Sequence, residues 1–113
     1  MATHANAREL GSGAAALIQL AFTLLQNNRC EDAALLLAAL DEVGASTPRT
    51  HAMRALAHVR MGEARDAIQI LDALATQENE FAPCHLIRAQ ALVSLGQRAA
   101  ARAAMHRFLA SQS

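Results

Sequence analysis

Apolar side chains recur along most of the chain at the spacing of a helix, and small or polar residues interrupt the pattern at short intervals. From residue 14 onward, apolar positions repeat every three to four residues, as on one face of an amphipathic helix. Thr47 followed by Pro48 is a typical helix start, and Gly44 is a typical helix end. The pattern predicts an all-α protein of six helices, at about 14–27, 31–43, 48–61, 64–76, 83–95 and 98–110.

The same arrangement of small and apolar residues recurs every 34 residues. In each copy a turn residue stands five positions before an alanine, as Asn28 stands before Ala33. Glycine adopts the left-handed backbone of a tight turn between helices without strain, and asparagine is the best substitute. A second alanine lies seven positions before each turn residue, where a small side chain lets two helices approach closely. The equivalent residues are Gly62 with Ala67, Gly96 with Ala101, and the alanines Ala21, Ala55 and Ala89.

This period and these small residues resemble the tetratricopeptide repeat. The resemblance implies three tetratricopeptide repeats, at 14–47, 48–81 and 82–113, whose six antiparallel helices form a short right-handed solenoid. Residues 1–13 have no periodic apolar pattern and contain two glycines, so they are expected to form a flexible N-terminal tail.

The chain departs from the repeat pattern at two positions of the first helix in the second and third copies. His51 and His85 replace a large aromatic residue and are expected to be partly buried and hydrogen-bonded. Arg54 and Arg88 replace a leucine that faces the second helix. They are expected to pair with carboxylates on neighbouring helices, such as Asp66 or Asp32.

Composition narrows the function classes. The 28 alanines and 16 leucines favour helices, and ten arginines balance ten acidic residues, so bulk charge does not favour binding to nucleic acid or to an anionic membrane. No apolar run reaches the length of about 18 residues that a membrane-spanning helix needs. The polar N-terminal residues carry no export signal pattern. A cytoplasmic location is therefore expected.

The cysteines and histidines do not form a pattern that supports catalysis. Cys30 and Cys84 are expected to be small apolar fillers near helix starts, since no activating base or glycine-rich loop accompanies them. His51 and His58 share a helix face, but the chain contains no His-x-x-x-His or Cys-x-x-Cys motif. The sequence predicts a protein that is not an enzyme and that has no cofactor or metal site.

The first helix of each repeat lines the concave side of a tetratricopeptide array, and here its outward positions are mostly apolar. A clamp for a carboxylate would need lysine at the fifth position and asparagine at the ninth, which in the third repeat are Leu86 and Gln90. The groove is therefore expected to receive the apolar face of an amphipathic helix. The candidate partner-binding residues are Ile18, Phe22, Leu25, Met53, Leu56, Val59, Leu86, Ile87 and Val93.

Three local segments, 36–40, 88–92 and 101–109, look like the small tetratricopeptide chaperones of bacterial type III secretion, most of all the Y-type (YscY- or SctY-like) chaperones. The resemblance implies a heterodimer with an exported X-type protein whose amphipathic helices are kept soluble. It also implies an encounter with the export gate at the inner membrane, without membrane insertion. A G-type chaperone of the needle subunit and a generic scaffold or adaptor module are the alternatives.

The face around Phe108 is expected to be covered by the client, a second copy or the N-terminal tail.

Overall fold

Six helices joined by short turns make up the part of the chain that the structure describes. The computed structural model describes the backbone of residues 7–113 and the side chains of residues 13–113. Consecutive helices pack against each other, and α3 also packs against α1 and α5. The chain is an all-α solenoid of three stacked helical hairpins, as predicted. The helices are α1 (Ala7–Gln26), α2 (Cys30–Glu42), α3 (Pro48–Arg60), α4 (Ala64–Thr76), α5 (Ala82–Ser94) and α6 (Arg98–Ser111).

Helix α1 begins earlier than the sequence pattern predicts. It starts at Ala7, so residues 7–13, which the sequence pattern assigns to the N-terminal tail, belong to the helix. Residues 7–10 are good helix formers, and each of the two glycines that follow costs only about 1 kcal/mol in a helix interior. A helix continued from a well-packed segment tolerates that cost, because extension needs no new nucleus. Residues 1–6 lie outside the described part of the chain.

The core lies where the small residues let the helices meet. Ala21, Ala55, Ala33 and Ala67 are completely buried, as the close approach between helices requires. Large side chains fill the space beside them, and the largest cluster, centred on Leu71, joins α3, α4 and α5. Because this cluster spans two hairpins, the second and third hairpins stabilise each other.

The turn within each hairpin has the same backbone geometry. Asn28, Gly62 and Gly96 have φ angles of 59°, 79° and 74°, which confirms the predicted left-handed turn residues. In all three turns the next N–H donates back to a carbonyl of the preceding helix, as from Arg29 to Leu24 at 2.8 Å. This bond satisfies a carbonyl that the helix end would leave unpaired.

Helix α3, the central first helix, begins at the predicted cap. The Thr50 N–H donates to the Thr47 hydroxyl at 3.2 Å, and the Thr47 N–H donates to the Thr50 hydroxyl at 2.8 Å. Pro48 stands at the first helical position, where its missing N–H costs nothing. This reciprocal cap fixes where α3 enters the stack.

The two turns between hairpins have different residues at the left-handed position, which yields a stability prediction. Gly44 ends α2 at φ 73°, whereas its equivalent Glu78 adopts φ 58°, a conformation that strains a side chain with a Cβ. We expect Glu78→Gly to raise the free energy of unfolding by about 0.5–1 kcal/mol, net of the added flexibility of the unfolded chain. Urea denaturation followed by circular dichroism measures this change. The control is Gln77→Gly, because Gln77 has a φ of −85°. A gain from the control as large as that from Glu78→Gly would contradict the strain.

Candidate partner-binding groove

A groove of about 350 Å³ lies between the first helices of the three hairpins. It is apolar apart from Arg49, the one charged residue of its lining. Four of the nine predicted residues are brought together in it. The lining residues are Phe22 from α1, Arg49, Ala52, Met53 and Leu56 from α3, Phe81 before α5, and Pro83 and Ile87 from α5.

Helix α3 forms the floor of this groove because it packs between α1 and α5. Met53 and Leu56 lie about one turn apart, so they present side chains to the same face of α3. Phe22 contributes an aromatic ring that is 42% exposed, large enough to form one wall and open enough to receive a partner. These residues give the groove a shape that accepts apolar side chains rather than a charged group.

Phe81 is a lining residue that the sequence analysis missed. It immediately precedes α5 and has an extended backbone, with φ −140° and ψ 171°. The prediction considered only residues within first helices, whereas Phe81 belongs to the turn before one. The sequence signal for Phe81 is its place two positions before Pro83. Proline limits where α5 can begin, so an aromatic residue at this distance lies at the start of the helix and close to the groove.

Two predicted groove residues are largely part of the core. Leu25 is only 5% exposed and packs with Cys30, Ala33 and Ala57, so it supports α1 from behind and its assignment to the groove is wrong. Ile87 is 7% exposed and belongs to the central core cluster, so only the edge of its side chain borders the groove. Leu25, the twelfth residue of the first repeat, faces inward because α1 contacts both α2 and α3.

The other predicted residues lie outside the groove lining. Ile18 packs beside the cluster of Ala21, Leu37 and Leu40, and Val59 packs against the central cluster. Leu86 is partly buried and is not part of the lining. The nine predicted residues therefore do not form one continuous wall, and the groove that the structure shows is shorter than expected.

Val93 belongs to a different surface, on the last hairpin. It is 63% exposed and borders a depression of about 390 Å³ between α5 and α6. Met105 and Leu109 line the same depression, together with the basic residues Arg98 and Arg102. This surface combines apolar and cationic groups, unlike the groove between the first helices.

The two equivalent arginines have different surroundings. Arg88 donates to Asp72 at 2.7 Å and lies 3.6 Å from a carboxylate oxygen of Glu80. Arg88 thus pairs with carboxylates outside its own helix, as predicted, but its partners are not the expected Asp66 or Asp32. Asp32 instead pairs with Arg29, three residues earlier in the chain, at 2.6 Å. Arg54 forms no ion pair with any side chain among residues 13–113, and its buried Nε atom has no hydrogen-bond partner there.

The two histidines at the aromatic position are partly buried, as predicted, but neither ring forms the predicted hydrogen bond with any of residues 13–113. The Nε2 atom of His51 lies 3.8 Å from an Asp41 oxygen, beyond hydrogen-bond distance. The Nδ1 atom of His85 is buried without a partner among the described residues, and its nearest carboxylate oxygen, on Glu80, is 4.0 Å away. Both rings therefore act mainly as packing groups.

His58, Glu63 and Asp66 form a cluster that the sequence motifs did not indicate. Their ligand atoms lie within 4.8 Å of one another, and His58 Nδ1 is 2.7 Å from Glu63. The left-handed turn at Gly62 brings Glu63 back over α3, a contact that a search for short motifs overlooks. Both carboxylates are exposed, and the hydrogen bond between His58 and Glu63 accounts for the proximity of these two residues without a ligand.

The cysteines are buried as expected, and they give a reactivity prediction. Cys84 is completely buried and Cys30 is 6% exposed. Burial raises the pKa of the Cys84 thiol, with the Glu80 charge adding to the effect, so the reactive thiolate is scarce. We expect both thiols to resist Ellman's reagent in the folded protein near pH 8 and to react promptly in guanidinium chloride. Cys30→Ser and Cys84→Ser identify the source of any signal. Rapid reaction of the folded protein would contradict this burial.

Comparison with protein-family models, curated proteins and solved structures finds no match for this chain. Among the described residues, no helix combines the length and apolar character needed to cross a membrane.

Proposed function

We propose that this protein is a non-enzymatic chaperone that holds an amphipathic helix in the groove between α1, α3 and α5. The observation that carries the proposal is the apolar lining shared by three hairpins, with Met53 and Leu56 at its centre. Burying a leucine-sized side chain contributes about 1.5–3 kcal/mol, so a few anchors supply useful affinity. A methionine in the floor adapts its shape to different anchors.

The size and chemistry of the groove favour a helix over an extended acidic tail. About 350 Å³ accommodates a few apolar side chains, and anchors at i, i+3, i+4 and i+7 of a helix lie within about 10 Å of one another. Arg49 is a single cation at the border, which suits one acidic residue beside the anchors. A peptide rich in carboxylates would find too few donors there.

The resemblance to the Y-type chaperones supports a specific client. On that basis the partner is an exported X-type protein of a type III secretion system, bound as a heterodimer in the bacterial cytoplasm and delivered to the export gate. Sequestering the apolar face of the client helix would keep the client soluble until export.

Co-expression with the X-type protein and with the needle subunit of the same secretion system tests the proposal. We expect a stable one-to-one complex with the X-type protein by light scattering, and a higher melting temperature for the complex than for the chain alone. A complex with the needle subunit only would identify the G-type alternative. Absence of a complex with either protein would refute the chaperone assignment.

A further inference from the structure

Arg54 and Arg88 occupy the same position in consecutive repeats, but only one has its charge satisfied. Asp72 and Glu80 surround the guanidinium of Arg88, whose side chain is only 16% exposed. The buried Nε of Arg54 has no hydrogen-bond partner among residues 13–113, and none of those residues forms an ion pair with it. A guanidinium held partly out of water without an acceptor is a strong donor for a carboxylate.

The repeat explains this difference. The residues 34 positions before Asp72 and Glu80, at the equivalent places in the preceding repeat, are Ala38 and Ser46. The methyl group of Ala38 and the short hydroxyl side chain of Ser46 replace the two carboxylates that serve Arg88. The chain thus retains the arginine and lacks both of its acidic partners.

Ala38, the equivalent of Asp72, lies in a groove between α2 and α3. This groove has a volume of about 600 Å³ and contains both Ala38 and Arg54. Ala34 and Leu35 of α2 line it, and Leu35 is 66% exposed, so an apolar stem can lie beside the cation. It is separate from the groove between the first helices, with which it shares no lining residue.

We propose that Arg54, Ala38 and Leu35 form a binding site for one carboxylate carried on an apolar stem. The carboxylate takes the place beside the Arg54 guanidinium that Asp72 holds beside Arg88, and the stem covers Leu35. Glu31 and Glu63 border the same groove and repel any anion, but they repel a doubly charged one about twice as strongly as a carboxylate. A monovalent carboxylate therefore fits better than a phosphate. This site does not depend on the proposed chaperone function.

The Arg54 Nε–H resonance, assigned by its loss in Arg54→Lys, reports directly on this site. Sodium butyrate supplies a free carboxylate on an apolar stem, and a short capped peptide with glutamate between two leucines supplies a protein-borne one. We expect at least one of them to shift the resonance saturably at constant ionic strength. A response to butyrate alone indicates a small-molecule ligand, and a response to the peptide alone indicates a partner protein.

Ala38→Asp is the decisive variant, because it restores the internal partner that Arg88 already has. We expect it to weaken ligand binding at least tenfold while leaving the protein folded, whereas Ala38→Asn should retain most of the binding. The Arg88 resonance should not respond in either protein. Equal shifts at the exposed Arg65, equal affinity for inorganic phosphate, or no saturable shift with either carboxylate would overturn the proposal.

Discussion

Leu71→Ala is expected to lower the free energy of unfolding by about 3–5 kcal/mol, the largest stability effect of any single truncation considered for this chain. Leu71 is completely buried and lies in the cluster that joins α3, α4 and α5. Truncation leaves a cavity that two hairpins must share, and domains of this size are stable by only about 5–15 kcal/mol in total. Urea denaturation monitored by circular dichroism measures the loss.

Leu35→Ala is the matched control, since it removes the same atoms from a helix position that is 66% exposed. We expect this control to change stability by no more than about 0.5 kcal/mol. If both truncations cost the same, the cluster around Leu71 is not the structural centre of the solenoid.

Leu56→Asp is expected to weaken binding of the client helix more than 100-fold, about 2.7 kcal/mol. The new carboxylate would lie in the middle of the apolar lining and would lose its hydration when the client helix docks. Isothermal titration with the X-type partner measures the change. Arg65→Glu on α4 is the charge-changing control and should leave affinity nearly unchanged, because Arg65 is exposed and is not part of the lining.

Leu56 also packs against the central core cluster, so a loss of binding must be separated from a loss of folding. Phe22→Asp serves this purpose, since Phe22 is 42% exposed and borders the same groove. The thermal unfolding of each variant is measured alongside its titration. If both variants fold and bind with unchanged affinity, the groove is not the client site.

The repeat architecture was predictable because it depends on short-range signals. The predicted starts and ends of α2 to α6 agree with the structure to within one residue, since turn residues such as Gly62 and the Thr47 cap act locally. The start of α1 was wrong because glycines in a helix interior carry a modest cost that neighbouring helix formers offset. Propensity alone does not fix such a boundary.

The candidate site was predictable only in part, because it depends on how helices rotate against one another. The repeat register placed Met53 and Leu56 on the correct face, but it did not show that Leu25 turns into the core. It also did not reveal Phe81, which enters the groove from a turn. The unequal surroundings of Arg54 and Arg88 require knowledge of which residues oppose them across the hairpins.

The methionine methyl groups give the most direct test of helix binding in the groove. Met53 lies in the groove between the first helices, Met61 borders the groove between α2 and α3, and Met105 borders the depression on the last hairpin. Methyl NMR of ¹³C-labelled methionine, with and without the X-type partner, reports on all three surfaces at once. The groove model predicts a large shift of the Met53 methyl and little change at Met61 and Met105. A shift at Met105 or Met61 with Met53 unchanged would contradict it.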